Sequence, residues 1–400
     1  MFQPLSGLRV IDLTQVLAGP YSTYQLALMG AEVIKIELPG EGDATRSGMG
    51  APALGGDKMG LPYVTQGSNK RSLTLNLKTQ DGLALLIRLI ATADIFVQNF
   101  KPGTARRLGV SFEDVKQMNP KIVHCSISAY GQDGPIGDRP AYDHVVQGMC
   151  GITMTTGTPD SVPNKVGAPY IDYATGLNAA FAIVSALHET RQTGEAVSLD
   201  VAMLDSSMLL MASMMTSYLS TGVAPTASGN EAQSRSPSSG AFETTKGVLM
   251  IAANNERQHH HLCAAIGRPE LLTDPRWADL AERRNHTDAL RDEIAATVKT
   301  KSADEWEIIL NEAGVPAARV RDFAEVMGEG QLKARGITTE MTLPGRDTTV
   351  HVPTLGFKVN GAVVAPSSPP PELGGDTDAI LGELGISGDE VARLRADGVV

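Results

Sequence analysis

The first 37 residues constrain the fold more than any other stretch. Leu8-Arg9-Val10-Ile11-Asp12-Leu13 is an apolar run of strand length, and Thr14 to Pro20 is a turn. Tyr21 to Met29 has the length of a helix and stops at Gly30, and Ala31 to Glu37 is a second strand-length run. Strand, helix and strand in that order form a βαβ crossover, which commits its strands to a parallel sheet. The pattern then repeats. Ser72 to Leu77 alternates like a strand, Leu83, Leu86, Ile87 and Ile90 fall at helical spacing, and Ala93 to Gln98 reads as a strand. The Asn119-Pro120 turn precedes another strand-like run, Ile122 to Ile127. An α/β fold is expected.

Thr221 to Gly240 is rich in Gly, Ser, Pro and Ala and reads as a linker. A hairpin follows at Ala241 to Ala252, turning at Lys246-Gly247, with helices around Leu262 and from Ser302. Ser302 and Glu305 have capping-box spacing, as do Ser387 and Glu390 after the Pro-rich segment Ala365 to Pro371. The expected organisation is a large domain over 1–220, a linker over 221–240, a small α+β domain over 241–330, and a linker and C-terminal segment over 331–400.

Several function classes are excluded at this level. The formal net charge is -11 and no basic face is evident, so a nucleic-acid partner is not expected, and any anionic ligand must meet a local group of Lys and Arg. Cys125, Cys150 and Cys263 are widely spaced with no C-x-x-C pair, which indicates neither a disulfide framework nor a zinc site. His259-His260-His261 point in different directions on a helix and cannot share one ion, so no metal site is expected. The apolar stretch Met203 to Leu219 is interrupted by Asp205 and several serines, so no membrane span is expected and a cytoplasmic setting is. Glu37 ends the second strand, where a nicotinamide-binding fold holds its ribose. The turn Thr14 to Pro20, however, has one glycine and a proline in place of the bare N–H groups that pyrophosphate needs.

The same turn belongs to another pattern. G-L-R-V-I-D-L-T-Q-V-L-A-G-P (Gly7 to Pro20), L-M-G-A-E-V-I-K-I-E (Leu28 to Glu37), N-K-R-S-L-T-L-N-L-K (Asn69 to Lys78) and A-D-I-F-V-Q-N-F-K-P-G (Ala93 to Gly103) occur in order. Y-G-Q-D-G-P (Tyr130 to Pro135), G-A-P-Y-I-D-Y-A-T-G (Gly167 to Gly176), A-G-V-P-A-A-R-V (Ala313 to Val320) and L-G-E-L-G-I-S (Leu381 to Ser387) follow. Together they resemble the class III CoA-transferases, the CaiB/BaiF superfamily, over nearly the whole chain. The resemblance implies a Rossmann-like large domain built from both chain ends, a smaller domain inserted between them, and an interlocked homodimer. It implies an acyl-CoA and a small carboxylic acid as substrates, with coenzyme A a substrate and no permanently bound cofactor.

By that resemblance Asp172 is the nucleophile. A carboxylate attacking a thioester expels CoA thiolate and leaves a mixed anhydride, and the thiolate then forms an aspartyl-CoA thioester. Leu177, Ala180, Phe181, Val184 and Leu187 make a helical stripe just after Asp172, which places it at a helix N-terminus where the dipole favours its ionised form. Spacing alone would make Asp172 an N-cap. Lys70, Arg71, Lys78, Lys101, Arg106 and Arg107 are the basic residues of the motif-bearing stretches. The resemblance implies that Leu75, Asn76, Leu77 and Lys78, with Asn99, Phe100 and Lys101, border the nucleotide and that Arg107 meets a phosphate. It implies that Leu17, Ala18, Ser128, Ala129 and Tyr130 line the pantetheine and nucleotide path. Family members often carry a glycine-rich loop after the linker, whereas Ser234 to Gly240 holds a single glycine. The oxyanion donors stay unassigned. The related alpha-methylacyl-CoA racemases carry a His where this chain has Tyr142, and His144 lies two residues further on. A racemase needs bases on both faces of its substrate, so transfer is favoured over racemisation. A non-catalytic CoA-binding protein is the remaining alternative, and the presence of Asp172 speaks against it.

Overall fold

The computed structural model describes residues 2–47, 58–232, 236–277 and 279–400. They divide into two compact units. One comprises Met1–Cys150, Val166–Thr221 and Gly330–Val400, the other Gly151–Lys165 and Gly222–Glu329. The division differs from the sequence-based one in two places. Residues 151–165 fall in the second unit, and so does the expected linker from Gly222 onward.

The larger unit begins β1 (Arg9–Asp12), α1 (Ala18–Leu28), β2 (Glu32–Glu37), α2 (Leu61–Gly67), β3 (Lys70–Thr74), α3 (Gln80–Ile90) and β4 (Ile95–Gln98). It continues with α4 (Thr104–Arg107), α5 (Phe112–Met118), β5 (Val123–Ser128), α6 (Asp143–Cys150), α7 (Tyr170–Thr193), β6 (Val197–Ala202), α8 (Met203–Leu210) and α9 (Ala212–Thr221). The six strands form one parallel sheet in the order β3-β2-β1-β4-β5-β6. Central strands such as Ile95–Gln98 are buried along their whole length because helices cover both faces. The order reverses between β1 and β4, so the loops leaving their carboxyl ends face each other across a crevice.

Both chain ends build this unit. Ile380, Leu381, Val391 and Leu394, from the C-terminal helices Thr377–Glu383 and Gly388–Ala396, share a core with Leu73, Leu86 and Phe96. The Asn76 N–H donates to the Val399 carbonyl at 2.8 Å. The third strand runs Lys70–Thr74, so Leu75 to Lys78 lie beyond it, where the chain meets its own C-terminus.

The stripe expected on α7 divides. Leu187 and Ala180 are buried, but Leu177, Phe181 and Val184 are exposed. The face packed on α1 is made of small residues, Gly176 and Ala179 among them. A Cβ at Gly176 would lie 2.7 Å from the Ala18 carbonyl oxygen, so only glycine lets the two helices approach this closely.

The second unit has its own core around Phe242, Leu262, Trp277 and Trp306. Its sheet contains the hairpin β7 (Ser239–Glu243) and β8 (Val248–Ala252), to which β9 (Ala317–Arg319) adds as a third antiparallel strand. The Ser302–Glu305 capping box forms at the start of the helix Ala303–Glu312. Among the described residues no helix is long and apolar enough to cross a membrane.

Candidate active site

The loop after β1 is held by three polar clamps. Asn99, just beyond β4, accepts the Gln15 N–H at 2.9 Å and donates back to the Gln15 carbonyl at 2.8 Å. The Val16 N–H points at the Asp43 carboxylate, 3.3 Å from each oxygen, and the Val16 carbonyl accepts from Gln66 Nε2 at 2.6 Å. These contacts hold Val16 at φ 73°, a left-handed conformation that a β-branched residue adopts only under tertiary constraint. Asp43 is itself paired with buried Lys35 at 3.0 Å. Lys70 Nζ reaches Asp12 Oδ2 at 3.1 Å beneath the same turn and also donates to the Pro20 carbonyl and Thr23.

This network removes three residues from the list of ligand candidates. Lys70 is buried and fully partnered, Arg71 is taken by Glu32 and Glu383, and Glu37 forms a bidentate pair with Arg46 at 2.7 Å. Neither Lys70 nor Arg71 is left for a phosphate, and Glu37 is not left for a ribose.

Over the crevice between β1 and β4 lies a cavity of about 460 Å³. Its wall contains Asp172 together with Ala18, Asn99, Phe100, Lys101, Ser128 and Ala129. Leu17, Leu75, Asn76, Leu77, Lys78, Arg107 and Tyr130 are not in that wall. Residues with no assigned role complete it, notably Gln15, Val16, Arg139, Tyr142 and Met203. His144 is exposed on α6 and outside the wall, whereas Tyr142 is part of it. A larger cavity, about 650 Å³, is lined by Phe2, Asn69, Val363 and Ser367 among others, with no charged side chain among the described residues, so the smaller one is the candidate site. Ser234 and Arg235, from the stretch compared with a glycine-rich loop, lie outside the described residues.

Asp172 is the third residue of α7, not its cap: the N-cap is Pro169, which has no side chain to offer. Capping comes from a distant carboxylate. Asp143 Oδ2 accepts the N–H groups of Ile171 at 2.9 Å and Asp172 at 3.2 Å, and Asp143 Oδ1 accepts from Gln147 Nε2 at 2.6 Å. The Asp143 charge is thereby held close enough to act on the Asp172 carboxyl. None of the described residues donates to the Asp172 side chain. Burial first, and the Asp143 charge second, push the Asp172 carboxyl up to about 7. The expected gain from the helix dipole is outweighed, because a dipole term of about 1 kcal/mol is small beside the desolvation of a carboxylate. Residue 143 would have been hard to find in the sequence, since its contacts to α7 span 28 and 29 positions.

Known proteins resemble this chain over nearly its whole length. A family profile described as CoA-transferase family III matches residues 5–377. The chain is 35% identical over 351 residues to an acetyl-CoA:oxalate CoA-transferase of Acetobacter aceti, covering 87% of this chain and 89% of that one. It is 35% identical to a succinate–glutarate CoA-transferase of Agrobacterium fabrum, covering 95% and 96% of the two chains. Among solved structures, a CAIB/BAIF family protein from Brucella suis superposes with a TM-score of 0.83 at 32% identity, covering 96% of this chain and 100% of that one. The chain belongs to CoA-transferase family III and is a transferase acting on acyl-CoA and carboxylic acids.

Proposed function

We propose that this protein moves CoA from an acyl-CoA to a small dicarboxylic acid through covalent intermediates on Asp172. The observation that carries the reading is a buried carboxylate, free of hydrogen bonds from the described residues, in the wall of a cavity at the switch point of a parallel sheet. The similarity to enzymes named for oxalate, succinate and glutarate supports the dicarboxylate.

In the reaction, ionised Asp172 attacks the thioester carbonyl carbon, the C–S bond breaks, and CoA leaves as thiolate from a mixed anhydride. The thiolate attacks the Asp172 acyl carbon, expelling the first acid as carboxylate and leaving an aspartyl-CoA thioester. The acceptor carboxylate attacks that thioester, expelling thiolate again. The thiolate then takes the acceptor's acyl carbon and regenerates the Asp172 carboxylate. Protons and electrons balance at every step, so the scheme needs no metal and no redox group. Oxyanion donors in this reading are the first N–H groups of α1, since Ala18 is in the wall and Leu17 caps the helix without a side-chain bond. CoA in this reading extends from the cavity past Asn99, Phe100 and Lys101 toward Leu75 to Lys78 and Arg107, with Leu17, Ser128, Ala129 and Tyr130 along its path. The working form is an interlocked homodimer in a reducing cytoplasmic setting. The exposed face of α7 and the free, buried state of all three cysteines are in keeping with this.

The test incubates the protein with paired acyl-CoA donors and carboxylate acceptors and follows new thioesters by mass spectrometry, with hydroxylamine trapping and peptide mapping. New thioesters with a hydroxamate at Asp172 are expected. Exchange of deuterium at the α-carbon of a branched acyl-CoA without transfer would replace this reading with racemisation.

A further inference from the structure

The cavity wall carries two cations, Lys101 and Arg139, and neither has a carboxylate partner among the described residues. Arg88, Arg106, Arg107, Arg191, Arg257 and Arg335 also have no ion pair among the described residues, but none of them lies in this wall. Twelve arginines, from Arg9 to Arg395, are engaged in the ion pairs recorded. Arg139 is exposed and lines the same cavity as the buried Asp172, so its guanidinium is available there to a ligand anion.

The two cations come from loops that follow different strands. Lys101 follows β4 and belongs to the same loop as Asn99, which is clamped to Gln15. Arg139 follows β5 and precedes α6, toward the β6 edge of the sheet. Its position is fixed at both ends. The Arg139 N–H donates to the Ile136 carbonyl at 3.0 Å, and four residues later Asp143 is bonded to the first turn of α7. Four residues span at most about 14 Å, so Arg139 stays within that reach of the residue that caps α7.

We propose that Arg139 selects acids with a second carboxylate by pairing with the carboxylate that does not react. With the reacting carboxyl at Asp172, the distal carboxylate of an acceptor of about four to six carbons extends along the wall to the Arg139 fork. A monocarboxylic acid of the same length leaves that guanidinium unpaired, and the site discriminates against it. The inference rests on the CoA-transferase reading of the same cavity. It adds the residue that sets acid selectivity.

The experiment compares the full-length protein with Arg139→Gln and Arg139→Lys, using acetyl-CoA as donor because it carries no second carboxylate. Succinate, glutarate and adipate are matched against butyrate, valerate and hexanoate. The expected result for Arg139→Gln is a fall of roughly ten-fold or more in the ratio of kcat/KM for the best dicarboxylate to that for its monocarboxylate partner. The fall should appear in the acceptor KM, the acetyl-CoA KM should stay within about two-fold, and Arg139→Lys should recover part of the ratio. An unchanged ratio overturns the proposal. So does a rise in the acetyl-CoA KM, which would give Arg139 to the phosphates of CoA. If wild-type protein transfers CoA to no acid, the underlying reading falls and this assignment with it. An active wild type with an insensitive Arg139→Gln removes the assignment alone.

Discussion

At the residue scale, Asp172 lines a cavity in which its charge is unwelcome. A carboxyl near 7 in the fold and about 3.9 in the unfolded chain keeps its proton in the native state while losing it on unfolding. Between about pH 4 and pH 7 the native state therefore binds more protons, and folding stability falls as pH rises through that window. Asp172→Asn removes the ionisation. Its expected outcome is loss of transfer, together with a higher midpoint of thermal unfolding at pH 8 and a smaller decline in that midpoint between pH 5 and pH 8. Calorimetry across this range checks it, and an Asp172→Asn protein that melts below wild type at pH 8 would contradict the raised carboxyl. The sequence singles out Asp172 as a candidate nucleophile only through the motif around it, because an aspartate at a helix start is first of all a cap. Its raised carboxyl was not legible, since burial and the Asp143 neighbour are products of folding.

At the element scale, what the sequence revealed and what it hid divide along the reach of the interactions. The opening βαβ unit was readable because apolar spacing is a local property, and β1, α1 and β2 appear within a few residues of their expected bounds. The strand Val197–Ala202 has no assignment in the sequence reading. It is a sheet edge whose outer half alternates polar and apolar residues, with Ser198 and Asp200 between the apolar ones. The stripe on α7 misled because bulk was equated with burial. Large side chains lie on the exposed side, and the buried side is small so that α1 can approach. Gly176 makes that approach possible, with Tyr21 and Tyr173 closing one edge of it, rings at 4.8 Å and nearly perpendicular. Gly176→Val must displace α1 at Ala18, a cavity residue. It is expected to cost about 1–3 kcal/mol in stability, by the range typical of overpacked contacts, and at least ten-fold in kcat/KM. Gly176→Ala is expected to do the same more weakly. Thermal unfolding with steady-state transfer rates measures both, and a Gly176→Val enzyme of wild-type activity would show that α1 does not position the reacting groups.

At the scale of the whole molecule, several large apolar side chains of the larger unit are left on its surface. Leu177 and Phe181 on α7 and Leu219 on α9 are 51%, 72% and 75% exposed. Large apolar side chains exposed together on one helix, as Leu177 and Phe181 are on α7, suit a protein–protein interface. We expect a native mass of twice 42.2 kDa by light scattering. A simple dimer and an interlocked one differ in how they come apart. If two rings pass through each other, neither chain can leave without opening its own fold, so dissociation and loss of structure must coincide. Urea titration followed in parallel by light scattering and far-UV circular dichroism should show both signals falling together, at a midpoint that rises with protein concentration. A folded species of single-chain mass at intermediate urea would leave the dimer standing and remove the interlock. A folded species of that mass without urea, at micromolar concentration, would mean that the α7 face meets some partner other than a second copy.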